Sequence, residues 1–289
     1  MPLDKQEWLA LEKKANELRN LTTDTTYWAG SGHIGGGMSA IDFMTLLYHK
    51  YLRFKVENPE WEDRDRFVLS KGHVGIAYAP LLCDLGFMDK ELLKTFNLTG
   101  SKFGIHLDAN KVHGVDASTG SLGHGLSIAA GMALAARVQG KTYMTYCMTG
   151  DGELNEGSNW EALMTIAHYK ITNLITVVDQ NKCMIDGRVD DVMCINPLDE
   201  KMKAFGFEVR VVDGHNMKKM AEAMDEATAN TSGKPFCIIL DTFKGAGIDF
   251  MQDDYHWHYG ALNEERYDLC KKSLEKYYAE RVARVEKEA

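Results

Sequence analysis

Proline is scarce in this chain, five in 289 residues, and no Pro- or Ser-rich stretch, low-complexity run or short-period repeat interrupts it. Domains strung on stiff or flexible linkers are therefore excluded, and one continuous unit over residues 1–289 is expected. Long apolar runs are missing as well. The most apolar stretch, Leu126 to Val138, falls short of the roughly 20 residues that cross a bilayer and is broken by Ser127 and Gly131, so no membrane role is expected. Paired cysteines are absent: Cys83, Cys147, Cys183, Cys194, Cys237 and Cys270 are scattered with no C-x-x-C, which points to reduced, buried thiols and not to a disulfide or zinc framework. Positive charge is in deficit, 33 Lys+Arg against 42 Asp+Glu for a formal net charge of −9. A phosphate backbone needs a basic footprint, so nucleic acid is excluded as the main partner, although a local anion site is not. Asp4 and Glu7 stand where an export signal would need basic and then apolar residues, and the expected compartment is the cytoplasm.

What is present is an alternation of two periods. Trp8, Leu11, Ala15 and Leu18 recur at helical spacing and predict a helix from about Lys5 to Leu21. Ser39-Ala-Ile-Asp42 has the S-x-x-D form of a capping box and is expected to open an apolar helix through Tyr48. Strand-like runs follow at Arg66 to Leu69, Tyr143 to Thr149, Leu174 to Asp179, Phe207 to Val212 and Phe236 to Asp241, with helical stretches between them and a helical segment over 262–288 at the end. The pattern predicts an α/β fold, a mostly parallel sheet covered by helices on both faces. Ligands of such sheets sit at the carboxyl ends of the strands.

Two of those ends carry chemistry. The run ending at Thr149 leads into Gly150-Asp151-Gly152, and the run ending near Asp179 leads into Gln180-Asn181-Lys182. Adjacent parallel strands would bring Asp151 and Asn181 together, two oxygen ligands suited to a hard Mg²⁺ or Ca²⁺ ion that keeps other positions for phosphate and water. Gly152 would admit a phosphate close to the backbone, and a helix beginning near Glu156 would point its N-terminus at the same region. An isolated Asp-Gly is also an ordinary turn, so the spaced pair says more than either half. Gly30-x-Gly32-x-x-Gly35 formally matches a dinucleotide fingerprint, but Thr22 to Thr26 before it is polar and not a buried strand, and NAD is not expected.

The pair resembles the GDG…N signature of thiamine diphosphate enzymes. In order along the chain, Ser31-Gly32-His33-Ile34-Gly35, Asp65 to His73 (DRFVLSKGH), Thr119 to Gly125 (TGSLGHG), Gly150 to Gly157 (GDGELNEG), Lys244-Gly245-Ala246-Gly247 and Trp257-His258 are similar to the motifs of transketolases, over about residues 20 to 260. The resemblance implies a thiamine diphosphate-binding fold, the diphosphate-binding domain. It implies a metal held by Asp151, Asn181 and the main-chain oxygen of Cys183, whose thiol is the wrong donor for a hard ion. On the same ground His73, Gly120, Ser121, Leu122, Gly152, Glu153, Asn181, Lys244 and His258 lie on the cofactor side. His33 and His258 lie between diphosphate and substrate, and His106 reaches the first hydroxyls of a ketose donor. Imidazoles suit such work because they donate hydrogen bonds and exchange protons near neutral pH. Glu156 resembles a carboxylate that couples two active sites across an interface; it also suits a first helical turn by its charge alone. His124 departs from the family, many members of which have Gln there. His49, His168 and His215 lack matching contexts and are read as structural; His113 and His256 remain undecided. The small residues from Ala129 onward are read as helix packing.

The family's activating Glu and pyrimidine pocket belong to a second domain, which has no counterpart before the sequence closes at Ala289. The resemblance thus implies the N-terminal subunit of a split transketolase of carbohydrate metabolism, moving a two-carbon ketol unit from a ketose phosphate to an aldose phosphate, as in the pentose phosphate pathway. A C-terminal partner subunit would complete it, two copies of each making a heterotetramer. Three alternatives stay open: a ketose that is sulfonated, branched or non-phosphorylated; a 2-oxo acid dehydrogenase-type α-subunit; and a non-catalytic subunit that kept the fold.

Overall fold

The computed structural model describes residues 3–288; residues 1, 2 and 289, at the ends of the expected unit, lie outside the described residues. Its helices are α1 (Lys5–Ala29), α2 (Ile34–Leu46), α3 (Gly75–Leu85), α4 (Gly125–Val138), α5 (Gly157–His168), α6 (Val189–Val192), α7 (Leu198–Ala204), α8 (Met217–Thr228) and α9 (Glu264–Glu288). Strands β2 (Arg66–Leu69), β3 (Thr145–Gly150), β4 (Leu174–Gln180), β5 (Glu208–Asp213) and β6 (Phe236–Asp241) form one sheet in the order β2-β3-β4-β6-β5, parallel throughout. Every expected strand is present, with ends displaced by no more than two residues. A two-stranded antiparallel ribbon pairs β1 (Ser31–Gly32) with β7 (Gly260–Ala261).

Side-chain alternation along the strands explains why both faces are covered. Tyr146, Met148, Ile175, Val177, Ile238 and Leu240 face one core, with Trp8 of α1, Ile41 of α2, Leu81 of α3 and Met220 of α8. Cys147, Val178, Cys237 and Ile239 face the other, with Leu126 of α4, Leu163 of α5 and Met202 of α7. Each buried Val or Ile side chain stabilises this arrangement by about 1.5–3 kcal/mol. Among the described residues no helix is long and apolar enough to cross a membrane.

Two expectations are corrected. Helix α1 does not stop near Leu21. Capped at its start by Asp4 and Glu7, it runs through the threonine-rich segment to Ala29 and closes on Gly30 at φ 79°. Thr22, Thr23, Thr25 and Thr26 are fully buried, and the hydroxyls of Thr23, Thr25 and Thr26 donate to the carbonyls of Arg19, Leu21 and Thr22, one helical turn back. The segment before Gly30 is therefore a helix, and no strand precedes the dinucleotide-like spacing. Ser39 is not a helix cap either. Helix α2 opens at Ile34, so Ser39 lies in its interior and donates to Gly36 O at 3.0 Å and Asp179 Oδ2 at 2.6 Å.

Candidate active site

The carboxyl ends of β2, β3, β4 and β6 adjoin one another, and the turns leaving them enclose a cavity of about 240 Å³. Register makes the first juxtaposition: Gly150 at the end of β3 lies opposite Asp179 of β4. Asp151 Oδ1 accepts from the Gly152 N–H at 2.8 Å, and Oδ2 reaches across to accept from the Lys182 N–H at 2.6 Å. Lys182 turns the chain with φ 66°, a conformation uncommon for a side chain with a Cβ. Thus Asp151 and Asn181, which are 181 − 151 = 30 residues apart, both line the cavity.

The Asn181 amide can sit only one way round. Its Nδ2 lies 3.3 Å from both Asp179 Oδ2 and Ser39 Oγ, and its Oδ1 accepts from the Cys183 N–H at 3.2 Å. A carboxylate only accepts and a backbone N–H only donates, so the two ends cannot be exchanged. Asp179 is in turn fixed by Lys71 and Thr242. Burial opposes its charge, but the Lys71 ammonium and the Ser39 and Thr242 hydroxyls together hold the carboxyl below the usual range. Lys71, which lines the cavity, and Asp179, Ser39 and Thr242 behind it escaped the sequence reading. The available signal was Asp179 closing a run whose one other polar residue is Thr176, together with a lysine, Lys71, within the DRFVLSKGH motif.

Three imidazoles meet in the lining of the same cavity. His33 enters α2, His73 follows β2, and His258 precedes β7, so the β1–β7 ribbon brings His258 to His33. Ring centroids are 5.1 Å apart for His33–His73, 5.2 Å for His33–His258 and 5.1 Å for His73–His258. All three are neutral at physiological pH. Burial, then His106 and Lys244, bring His33 down to about 4. Burial, then Lys244 and His33, bring His258 to about 3, and burial with Lys71 puts His73 well below its ordinary value. The Nδ1 atom of His33 is buried with no hydrogen-bond partner. Lys244 is buried among these groups, and burial followed by the Lys71 charge lowers its ammonium to about 8.

The remaining expected residues divide. Gly120, Leu122, Gly152, Glu153 and Cys183 line the cavity, as do Gly36, Met184 and Ile185, which were not foreseen. The Glu153 carboxylate accepts at Oε1 from the Ser70 hydroxyl and from the Gly123 N–H at 3.0 Å, and at Oε2 from the Gly150 N–H at 3.0 Å. It joins two turns of the wall. The Cys183 thiol is directed to the Arg188 guanidinium at 3.5 Å. Ser121 is exposed and outside the lining, and His106 is an exposed residue beside it, its ring 3.0 Å from where a Cβ on Gly120 would stand. Glu156 is the exposed residue preceding α5, packed on Gly123 and away from the cavity wall. His113, His124 and His256 are exposed and line nothing here; His215 is a buried structural residue, its Nδ1 2.8 Å from Asp42 Oδ2 and its Nε2 accepting from the Phe243 N–H at 3.0 Å.

Residues 11–283 match the family described as transketolase, thiamine diphosphate binding domain. The chain belongs to the transketolase family. It is 38% identical over 271 residues to a 6-deoxy-6-sulfo-D-fructose transketolase subunit of Clostridium sp. (strain MSTE9), covering 94% of this chain and 98% of that protein. It is 37% identical over 266 residues to an apulose-4-phosphate transketolase subunit of Actinobacillus succinogenes, covering 91% and 95%. The crystal structure of transketolase from Campylobacter jejuni superposes with a TM-score of 0.85 at 31% identity, over 95% of this chain and 45% of that one. The chain is thus the counterpart of the thiamine diphosphate-binding half of a transketolase. The transketolase cavity found here fits that cofactor on its own chemistry. Burial, then the Asp179 charge, push the Asp151 carboxyl up to about 6, and among the described residues no ion pair engages it. A buried carboxylate with no ion-pair partner, near an amide oxygen and two lysines, suits a hard divalent ion with a diphosphate.

Proposed function

We propose that this transketolase-family chain is the N-terminal subunit of a two-subunit enzyme that moves a two-carbon ketol unit from a ketose phosphate to an aldose phosphate. The observation that carries the reading is one cavity lined both by the Asp151–Asn181 pair and by three neutral imidazoles. Asp151 and Asn181, with the main-chain oxygen of Cys183, would hold Mg²⁺ or Ca²⁺. Gly152, Glu153, Lys244, His73 and the Gly120-Ser121-Leu122 turn would lie along thiamine diphosphate, Glu153 also bracing that turn through the Gly123 N–H. Bound thiamine diphosphate supplies the electron sink for cleavage beside a carbonyl, and the protein orients and shields the reacting groups. His33 and His258, both neutral, would hold the ketose oxygens and take part in moving protons between them. His106 would meet the first hydroxyls of the donor. Glu156 would couple two sites across a subunit interface.

A partner subunit would supply the pyrimidine pocket and its activating carboxylate, in a heterotetramer with two copies of each chain. Relatives named as transketolase subunits, matched nearly end to end, support this reading. Their names, for 6-deoxy-6-sulfo-D-fructose and apulose-4-phosphate, also favour a second reading in which the ketose is a specialised one. The test is co-purification with the partner, then assay of xylulose 5-phosphate and 6-deoxy-6-sulfo-D-fructose as donors against a panel of aldoses. Transfer by the purified chain alone would sink the two-subunit reading, and no transfer from any ketose by the complex would sink the transferase. His106→Ala should lower transfer about a hundredfold, the scale of a lost proton-handling or orienting imidazole; an unchanged rate would remove His106 from the site.

A further inference from the structure

The Lys244 ammonium does not point freely into the cavity. Its Nζ lies 2.9 Å from His258 Nδ1 and 3.3 Å from the Met184 carbonyl. An ammonium has donors and no acceptor, so at that distance the ring atom it meets must be the acceptor. Nδ1 of His258 is then unprotonated, and the proton of the neutral ring sits on Nε2. The same contact opposes an imidazolium, since a second positive charge would lie against the first in a buried place. Neither neighbouring imidazole has a comparable constraint: His33 has its Nδ1 buried and unpartnered, and His73 meets His258 by ring stacking.

The fold holds the lysine firmly at this contact. A Cβ on Gly35 would come 2.8 Å from Lys244 Cγ and 2.4 Å from the Trp257 carbonyl oxygen, so only glycine lets the lysine stem and the segment preceding His258 pack together there. Backbone bonds fix both sides of the stem, from the Gly245 N–H to Gly35 O at 2.9 Å and from the Asp253 N–H to Lys244 O at 2.8 Å. Two elements distant in sequence, the start of α2 and the turn after β6, are thus matched to one side-chain contact.

We propose that Lys244 is a positioning residue that locks His258 in the Nε2–H tautomer, so that the ring atom left for bound groups is a hydrogen-bond donor. This deepens the proposed function and rests on it for the identity of the acceptor, a substrate or diphosphate oxygen. The lock itself is a property of the chain without cofactor. It also adds to the role of Lys244, two of whose three donors go to His258 and Met184 and one of which is left for an anion.

Long-range ¹H–¹⁵N correlation on the full chain, labelled in histidine and free of cofactor, reads the tautomer directly at pH 6.5, with His258→Gln assigning the signal. An unprotonated Nδ1 with a protonated Nε2 is expected; the opposite tautomer or an imidazolium overturns the proposal. The tautomer is read in the wild-type chain, and His258→Gln serves only to assign the signal. Two substitutions then separate tautomer from charge. Lys244→Gln keeps a donor for Nδ1 without the charge and should retain the wild-type pattern, whereas Lys244→Met removes both and should give mixed tautomers. In the complex with its partner, Lys244→Met should lower kcat about tenfold or more, the range of lost supporting hydrogen bonds, with Lys244→Gln recovering most of it. Equal loss in both variants means Lys244 acts by charge and overturns the proposal. A locked tautomer in a wild-type complex that transfers no ketol unit would instead defeat the function and leave the lock standing.

Discussion

Gly72 shows how single residues set this cavity. A Cβ there would stand 2.5 Å from Thr119 Oγ1 and 2.7 Å from the Thr119 carbonyl, while the Thr119 hydroxyl donates to Leu69 O at 2.7 Å. Backbone cannot yield as a side-chain tip can. Gly72→Ala should therefore destabilise the chain by about 1–3 kcal/mol in urea unfolding, the usual cost of overpacking. It should also weaken thiamine diphosphate binding by displacing the adjoining Gly120 turn; unchanged calorimetric affinity would mean that turn is not part of the site. The sequence displayed Gly72 inside a motif but not its reason, because Thr119 is 119 − 72 = 47 residues away. Asp151 and Asn181 were legible because strand ends and oxygen ligands are visible in one dimension. Lys71 and Asp179 were not, because the buried ion pair joins the turn after β2 to the end of β4 past the intervening β3, and only the sheet order brings the two within reach. The role of Lys244 needed the ring geometry of His258 as well.

Among the elements, helices α1, α2 and α9 are joined by a buried charge cluster that sequence periodicity did not reveal. Arg19 grips Asp42 at 2.8 and 2.7 Å, Arg281 reaches Asp42 at 2.9 Å and also pairs with Glu12. Two cations and two anions balance, which is why the S-x-x-D spacing misled: Asp42 faces inward to guanidinium groups and not along a helix end. Burial opposes its charge, but Arg19 and then Arg281 hold its carboxyl well below the usual range. Its folded value being depressed, the stability it contributes is present above the unfolded value of about 3.9 and lost as pH falls through the lower folded value. Asp42→Asn strands the guanidinium charges and should cost about 3–5 kcal/mol at pH 7. The difference from wild type, followed by circular dichroism in urea, should shrink below pH 4. A gap that is constant from pH 7 to pH 3 would place the cost elsewhere. The threonines of α1 misled for a related reason, the hydroxyls of Thr23, Thr25 and Thr26 being satisfied one turn back inside the helix.

At the scale of the whole molecule, a net charge of −9 and an anionic cofactor are reconciled by where the few relevant cations sit. Lys71 and Lys244 are buried at 1% and 2% exposure, and the Asp151–Asn181 pair offers a place for an inner-sphere metal, so the attraction is local and sheltered from solvent ions. Diffuse surface attraction is screened within about 8 Å at physiological ionic strength, whereas buried pairs are screened much less. Binding of thiamine diphosphate to the complex should then respond differently to two treatments that both weaken electrostatics. Raising sodium chloride from 0.05 to about 0.5 M should change the affinity only a few-fold, because no counterion-covered surface is being neutralised. Chelation of divalent ions should release the cofactor and abolish transfer, and added Mg²⁺ should restore both. Calorimetry across the salt series and after chelation measures the two effects on one sample. A steep salt dependence with no effect of the chelator would mean the diphosphate is held at the surface by exposed cations, and the metal assigned to Asp151 and Asn181 would have to be withdrawn.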